Sequence, residues 1–198
     1  GWENIIMSTL NTPANKRFEG MTVQDIAKAR GTDPVDCVCD MLIEENCAIT
    51  MIDFITCEED IARILNCGFA SVISDSIYPA SGRPHPRLYG TYARIIQRFV
   101  GERRDMTLEA AVKAMTYTPA KALNIADRGL LREGLCADVN VFDPAEVKEC
   151  GSYADPDKCA AGMDYVFVNG KPAIAAGELT GGAFGQVIRR RKKYFAKT

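Results

Sequence analysis

Apolar and polar positions follow two different periods along this chain, and the change of period divides it. Residues Glu3 to Leu10 form a β-capable apolar run, followed by the polar loop Asn11–Arg17. From Thr22 the spacing becomes helical. Thr22 is placed to cap a helix over Val23–Arg30 that Gly31 stops. Pro34 sits near the start of the next helix, with Val35, Val38, Met41 and Leu42 at helical spacing, and Asn46 ends it. Cys47 to Phe54 is again short and β-capable. Thr56-Cys-Glu-Glu59 reads as a capping box that opens a helix over Asp60–Leu65. Phe69 to Ser74 is a compact apolar run with β-branched members, which predicts a strand buried on both faces.

Beyond that run, Tyr89–Arg103 is an amphipathic helix with Tyr92, Ile95, Ile96 and Phe99 on one side. Thr107 caps a further helix over Leu108–Thr116, and Thr118 with Pro119 opens one that ends near Asn124. After about Ala126 the text turns to Gly-punctuated short strands: Ala137–Phe142, Asp164–Asn169 and Pro172–Ala175. Asn169-Gly170 between two apolar runs is a hairpin signal. Helical alternation therefore gives way to an antiparallel β module, and no internal repeat or low-complexity segment interrupts either part.

The candidate chemistry clusters where the predicted strand Phe69–Ser74 ends. Asp75 closes that strand, and in parallel α/β proteins the C-terminal mouth of a strand is where reactive groups are kept. A carboxylate there has to be paired, hydrogen-bonded or metal-bound, because an isolated buried charge is too costly. Ten residues later comes the only histidine, His85, inside Arg83-Pro-His-Pro-Arg87. Taken alone, a histidine between prolines is by default a structural loop residue, and Arg87 a solvated one. The basic tail Arg189–Lys193 is by default a solvated end, since no aromatic platform or groove motif accompanies it.

Composition narrows the classes. The 198 residues carry a net charge of −2, which gives no global attraction to nucleic acid or to an anionic membrane. No apolar run approaches the ~20 residues of a spanning helix, and no leader peptide is recognisable. Eight cysteines, none in a C-x-x-C pair, read as reduced thiols acting as small hydrophobes in a cytoplasmic protein. The opening Gly1-Trp2-Glu3-Asn4-Ile5 enters at once on a strand, as expected of a piece of a longer polypeptide.

Several of these stretches together resemble the N-acyl-D-amino-acid deacylases, or D-aminoacylases, of the amidohydrolase superfamily. Ser74-Asp75-Ser76 followed by Arg83-Pro-His-Pro-Arg-Leu-Tyr-Gly-Thr91 is similar to that family's last-strand motif. The likeness continues through Met115–Leu123, Asp127–Gly134, Ala137–Pro144, Tyr165–Gly170 and Gly177–Gly181. Thr22–Ala27 and Asp33-Pro34 resemble an insertion before the last barrel strand. Ala137–Asp143 is generic to amidohydrolases, whereas His85–Gly90 is more particular to the deacylases.

The resemblance implies a zinc-dependent hydrolase on a (β/α)8 barrel with a small β-sandwich module, acting on a small-molecule N-acyl amino acid. It places Asp75 at the metal site as both a ligand and the group that shuttles a proton from water to the leaving amine. It makes Arg87 a candidate for the substrate carboxylate, whose two oxygens a planar guanidinium matches. For His85, orienting the loop and touching substrate stand as equal alternatives. The chain departs from the family in one respect: the remaining ligands implied are an early His-x-His, a cysteine and two mid-barrel histidines, which a single histidine cannot supply. Nor can 198 residues build a barrel that takes ~250.

The expected fold class is therefore α/β, the C-terminal part of a metal-dependent hydrolase TIM barrel plus part of a β-sandwich. Residues 1–126 would hold the last barrel strands and helices with an inserted helical segment at about 11–66, and 127–198 the sandwich module and tail. Alone, the piece is expected to be inactive and, with two parallel strands lacking neighbours, to self-associate or rearrange. The alternative activities are a cyclic-amide hydrolysis of the dihydroorotase or hydantoinase kind, and a non-catalytic assembly module.

Overall fold

The computed structural model describes residues 1–78 and 82–189. They fall into two compact units interleaved along the chain. The first comprises Gly1–Glu58, Ser74–Thr91 and Cys150–Cys159; the second comprises Glu59–Ile73, Tyr92–Glu149 and the described residues from Ala160 on.

The first unit opens on a 3-10 turn, Trp2–Asn4, and β1, Ile5–Thr9, which pairs antiparallel with β2, Thr50–Asp53. Ile6 faces Ile52 in this register, and the ladder slips between Met7 and Thr9. Between the strands lie α1, Val23–Arg30, and α2, Pro34–Glu44. Both helices start where local chemistry directs. The Thr22 hydroxyl accepts the Asp25 N–H at 3.1 Å, and the Asp33 carboxylate accepts the Val35 N–H at 2.8 Å ahead of Pro34. Gly31 stops α1 in the left-handed region at φ +69°. The core packed beneath them is Met7, Leu10, Phe18, Val23, Ile26, Ala27, Cys37 and Met41. Burying its Met, Leu, Phe, Val and Ile side chains contributes about 1.5–3 kcal/mol each, and Ala27 and Cys37 less.

One buried charge ties the loop after β1 to the end of α2. Glu45 is only 3% exposed. Its carboxylate accepts the Asn11 N–H at 2.6 Å, the Thr12 N–H at 3.1 Å, the Thr12 hydroxyl and the Asn15 side-chain amide at 2.9 Å. Burial alone would push this carboxyl up, but the Thr12 hydroxyl, the Asn15 amide and the two backbone N–H groups outweigh it and bring it down to about 2.

The second unit holds most of the remaining helices. α3, Glu58–Leu65, starts two residues earlier than its capping-box pattern predicts. α4, Arg87–Arg94, starts in the first unit and enters the second at Tyr92; it runs straight into a π-helical stretch, Ile95–Glu102, so the amphipathic segment expected over Tyr89–Arg103 is present with a widened second half. α5, Leu108–Met115, is capped by the Thr107 hydroxyl on the Ala110 N–H at 3.2 Å. α6 covers Tyr117–Ala122, taking in Thr118 rather than starting after it. Ile95, Phe99, Met106, Ala111 and Ala114 form one buried cluster with Ala62 and Val72.

The sheet of this unit is antiparallel in the order β3 (Val139–Phe142), β4 (Met163–Val168), β5 (Lys171–Ala175), β6 (Glu178–Leu179). Asn169 at φ +51° and Gly170 at φ +77° make the two-residue β4–β5 turn, with both centres left-handed as a type I′ turn requires. Ala176 and Gly177 repeat this at the β5–β6 turn, at φ +51° and +81°. Every described strand pair in both units is antiparallel.

Two expectations need correction. No strand forms over Phe69–Ser74: Phe69 is 85% and Ile73 65% exposed, and Val72 alone is buried, its N–H donating to the Ala114 carbonyl at 3.0 Å. A β-branched run becomes a strand only beside a ladder partner, and no described strand lies alongside it. The cysteines are all free thiols as expected, but only Cys37 is buried and six are exposed, so the small-hydrophobe reading holds for Cys37. Among the described residues no helix is long and apolar enough to cross a membrane. Of the basic tail only Arg189 lies within the described residues; Arg190 to Lys193 lie outside them, as does Pro79.

Candidate functional site

Asp75, His85 and Arg87 all lie in the first unit. Asp75 sits at φ +45°, a left-handed backbone that L residues other than Asn and Asp rarely adopt. Next to it the Ser76 hydroxyl donates to the Ser74 carbonyl at 3.0 Å. The Asp75 side chain is 74% exposed, not buried at a strand's mouth, and it is paired: its Oδ2 lies 3.1 Å from Nη2 of Arg87. The two residues singled out for acid–base work and for carboxylate recognition are thus brought into direct contact.

The loop that carries His85 and Arg87 is pinned at its base. Gly82 stands at φ +91°, where a Cβ would lie 2.5 Å from the Thr9 hydroxyl and 2.8 Å from the Ser8 carbonyl, so only glycine fits against the end of β1. The Arg83 N–H donates to the Ser8 carbonyl at 2.9 Å, and the Ser8 hydroxyl donates to the Arg83 carbonyl at 2.5 Å. Pro84 and Pro86 are buried on either side of His85. The Tyr89 and Gly90 N–H groups then close onto the Pro86 carbonyl at 3.1 and 3.0 Å and start α4.

His85 is held on both ring nitrogens. Nδ1 accepts the Arg87 backbone N–H at 3.0 Å, and Nε2 lies 3.5 Å from the Tyr153 hydroxyl. The His85 and Tyr153 rings meet edge to face at 5.2 Å, and Tyr153 meets Phe54 the same way at 4.8 Å. Close by in the chain, Tyr78 packs edge to face on Tyr89 at 6.2 Å. Loss of solvent, then the neighbouring Tyr78, push the Tyr89 phenol up. Ser8, Gly82, Phe54 and Tyr153 carry no signal in the sequence: Ser8 is 75 residues from Arg83, and Tyr153 is 68 from His85.

Among the described residues no three His, Cys, Asp or Glu side chains converge where a metal ion could be held. A zinc centre takes three or four protein ligands. These residues do not fit one by themselves; Asp75 is the single carboxylate of the motif, and both His85 nitrogens are engaged.

Known proteins place the chain. Residues 15–174 match the model of the amidohydrolase family. The chain belongs to that family. Among its relatives are a D-aminoacylase of Alcaligenes xylosoxydans xylosoxydans, 35% identical over 87% of this chain and 34% of the relative, and an N-acyl-D-glutamate deacylase of the same organism, 36% identical over 83% and 32%. The crystal structure of a D-aminoacylase superposes with a TM-score of 0.83 at 32% identity, covering 94% of this chain and 38% of that one. The N-acyl-D-glutamate deacylase of Bordetella bronchiseptica superposes with a TM-score of 0.77 at 34% identity, covering 89% and 36%. That structure holds zinc and a phosphonate mimic of the tetrahedral intermediate. Within the amidohydrolases, then, these relatives are the N-acyl-D-amino-acid deacylases that the motifs around Asp75 and His85 resemble. The chain spans about a third of the length of the curated relatives it matches.

Proposed function

We propose that this chain forms part of a zinc-dependent amidohydrolase that cleaves the amide bond of N-acyl-D-amino acids. The observation that carries the reading is the Asp75–Arg87 pair at 3.1 Å, within a chain whose relatives are deacylases along most of its length. Asp75 would lend one carboxylate to a metal centre completed by residues other than those described, take a proton from the attacking water and return it to the leaving amine. Arg87 would present its guanidinium to the substrate carboxylate. His85 belongs to the same loop. In this reading residues 1–126 contribute the last strands and helices of a barrel with its inserted segment, and 127–198 part of a β-sandwich.

The isolated chain would not turn over, having too few ligands for the metal. It would also self-associate, since each unit leaves large apolar side chains open: Phe69 and Ile73 of the second are 85% and 65% exposed, Ile77 and Tyr78 of the first 86% and 74%. The test uses the longer protein that contains this chain, loaded with zinc and assayed for release of D-amino acid from N-acetyl-D-amino acids. Asp75→Asn should lower kcat by about 10²–10⁴-fold, the usual weight of general acid–base catalysis. Turnover within tenfold of wild type in that variant would defeat the assignment, as would zinc-dependent hydrolysis by the 198-residue chain alone. Light scattering that returns a monomer would remove the self-association.

A further inference from the structure

We propose that Tyr153 is a positioning residue for the Asp75–Arg87 pair, acting through His85, whose imidazole it holds with the proton on Nε2. The inference rests on the reading above for what the pair does, but not for the geometry. A neutral imidazole has one protonated nitrogen and one with a lone pair. The Arg87 backbone N–H points at Nδ1 at 3.0 Å, so Nδ1 carries the lone pair and Nε2 carries the proton. The Nε2–H therefore donates, and the Tyr153 hydroxyl 3.5 Å away accepts.

The two contacts make a chain of orientation from Tyr153 to Asp75. The Tyr153 ring meets the imidazole edge to face at 5.2 Å and is itself backed by Phe54 at 4.8 Å. His85 in turn fixes the backbone of Arg87, whose side chain reaches Oδ2 of Asp75. Buried Pro84 and Pro86 limit the backbone on either side, so the ring contacts, more than backbone freedom, set where the imidazole stands. This assigns to His85 the role of a strut within the loop. With Nδ1 occupied by an N–H donor and Nε2 protonated, neither nitrogen offers a lone pair to a metal or to a substrate proton.

Because His85 is the only histidine, its ring nitrogens can be observed by NMR without ambiguity in the intact 198-residue chain. Proton–nitrogen correlation should place the proton on Nε2, and that proton should show a nuclear Overhauser contact to the Tyr153 ring. Tyr153→Phe keeps the ring and removes the acceptor. It should leave the tautomer and ring packing in place while raising the exchange rate of the Nε2 proton with water about tenfold, the weight of one net hydrogen bond. Tyr153→Ala should in addition abolish the ring contact and shift the Arg87 amide signal. A proton found on Nδ1, or unchanged Nε2 exchange in Tyr153→Phe, would overturn the proposal. These readouts need neither metal nor turnover, so absence of deacylase activity in the longer protein would leave them standing.

Discussion

Protonating Glu45 should cost this chain a measurable share of its stability, and the size of that share follows from the structure. An ordinary glutamate titrates at 4.5, whereas the folded chain holds Glu45 at about 2. Each tenfold difference in proton affinity is worth ~1.36 kcal/mol, so the charged carboxylate contributes about 3 kcal/mol to folding. The sign is that of a depressed acid. The contribution is complete above about pH 4.5, decays as pH falls from there toward 2, and is gone below. Glu45→Gln keeps the shape but turns an amide N–H₂ toward N–H donors, leaving some of Asn11, Thr12 and Asn15 unsatisfied, a loss of about 2–4 kcal/mol at neutral pH. The assay is urea unfolding followed by fluorescence of Trp2. It is the only tryptophan, and it packs against the core cluster of the same unit. Glu44→Gln is the control: its carboxylate pairs with Arg30 at 2.8 Å but is 45% exposed, so the loss should stay under about 1 kcal/mol. The reasoning fails if Glu45→Gln loses less than about 0.5 kcal/mol at pH 7. It fails equally if the gap between wild type and variant is as wide at pH 2 as at pH 7, since a protonated Glu45 and a glutamine should then be nearly equivalent.

Two further substitutions probe left-handed backbone positions. Gly82→Ala forces a Cβ to within 2.5 Å of the Thr9 hydroxyl at φ +91°; it should cost about 2 kcal/mol or more in the same urea titration, and a midpoint equal to wild type would show that the loop base is not pinned to β1. Ala176→Asn relieves an alanine held at φ +51° and completes an Asn-Gly turn between β5 and β6; calorimetry should show about 0.5–1 kcal/mol of added stability, and a lowered Tm would contradict the turn assignment.

How much of this was legible in the sequence depends on how far apart the deciding groups lie. α1 runs over Val23–Arg30 as its pattern predicts because Thr22, Asp25 and Gly31 settle both ends within one or two turns. The Asn169-Gly170 hairpin was equally readable, since two adjacent left-handed residues fix both the turn and the register of β4 on β5. Phe69–Ser74 was misread for the opposite reason: its composition suits a strand, but whether a strand forms is decided by a partner that local composition does not encode. The thiols were misread because a cysteine inside an apolar pattern can sit on either face, and Cys39, two residues from buried Cys37 on α2, sits on the exposed one. At the site, the motif residues could be named from their spacing, but not their restraints. Ser8 and Tyr153 meet the loop only after distant segments fold together, and neither residue type is unusual where it stands.

The contact between Asp75 and Arg87 also constrains what the pair can do together. The Oδ2 of Asp75 is occupied by Nη2 of Arg87 at 3.1 Å, and the N–H that makes this contact is not free for a substrate carboxylate while it lasts. Arginine has five N–H donors in a rigid fork, and the contact with Asp75 uses the Nη2 end. Under the proposed function, a substrate carboxylate that drew the guanidinium away would do two things at once: pair its own charge and uncover the Oδ2 of Asp75. The exposure of both side chains, 44% for Arg87 and 74% for Asp75, makes such an exchange inexpensive, because an ion pair this open contributes only about 0–1 kcal/mol. On this argument a substrate without a carboxylate would lose kcat as well as affinity, since nothing would take Arg87 off the Asp75 oxygen.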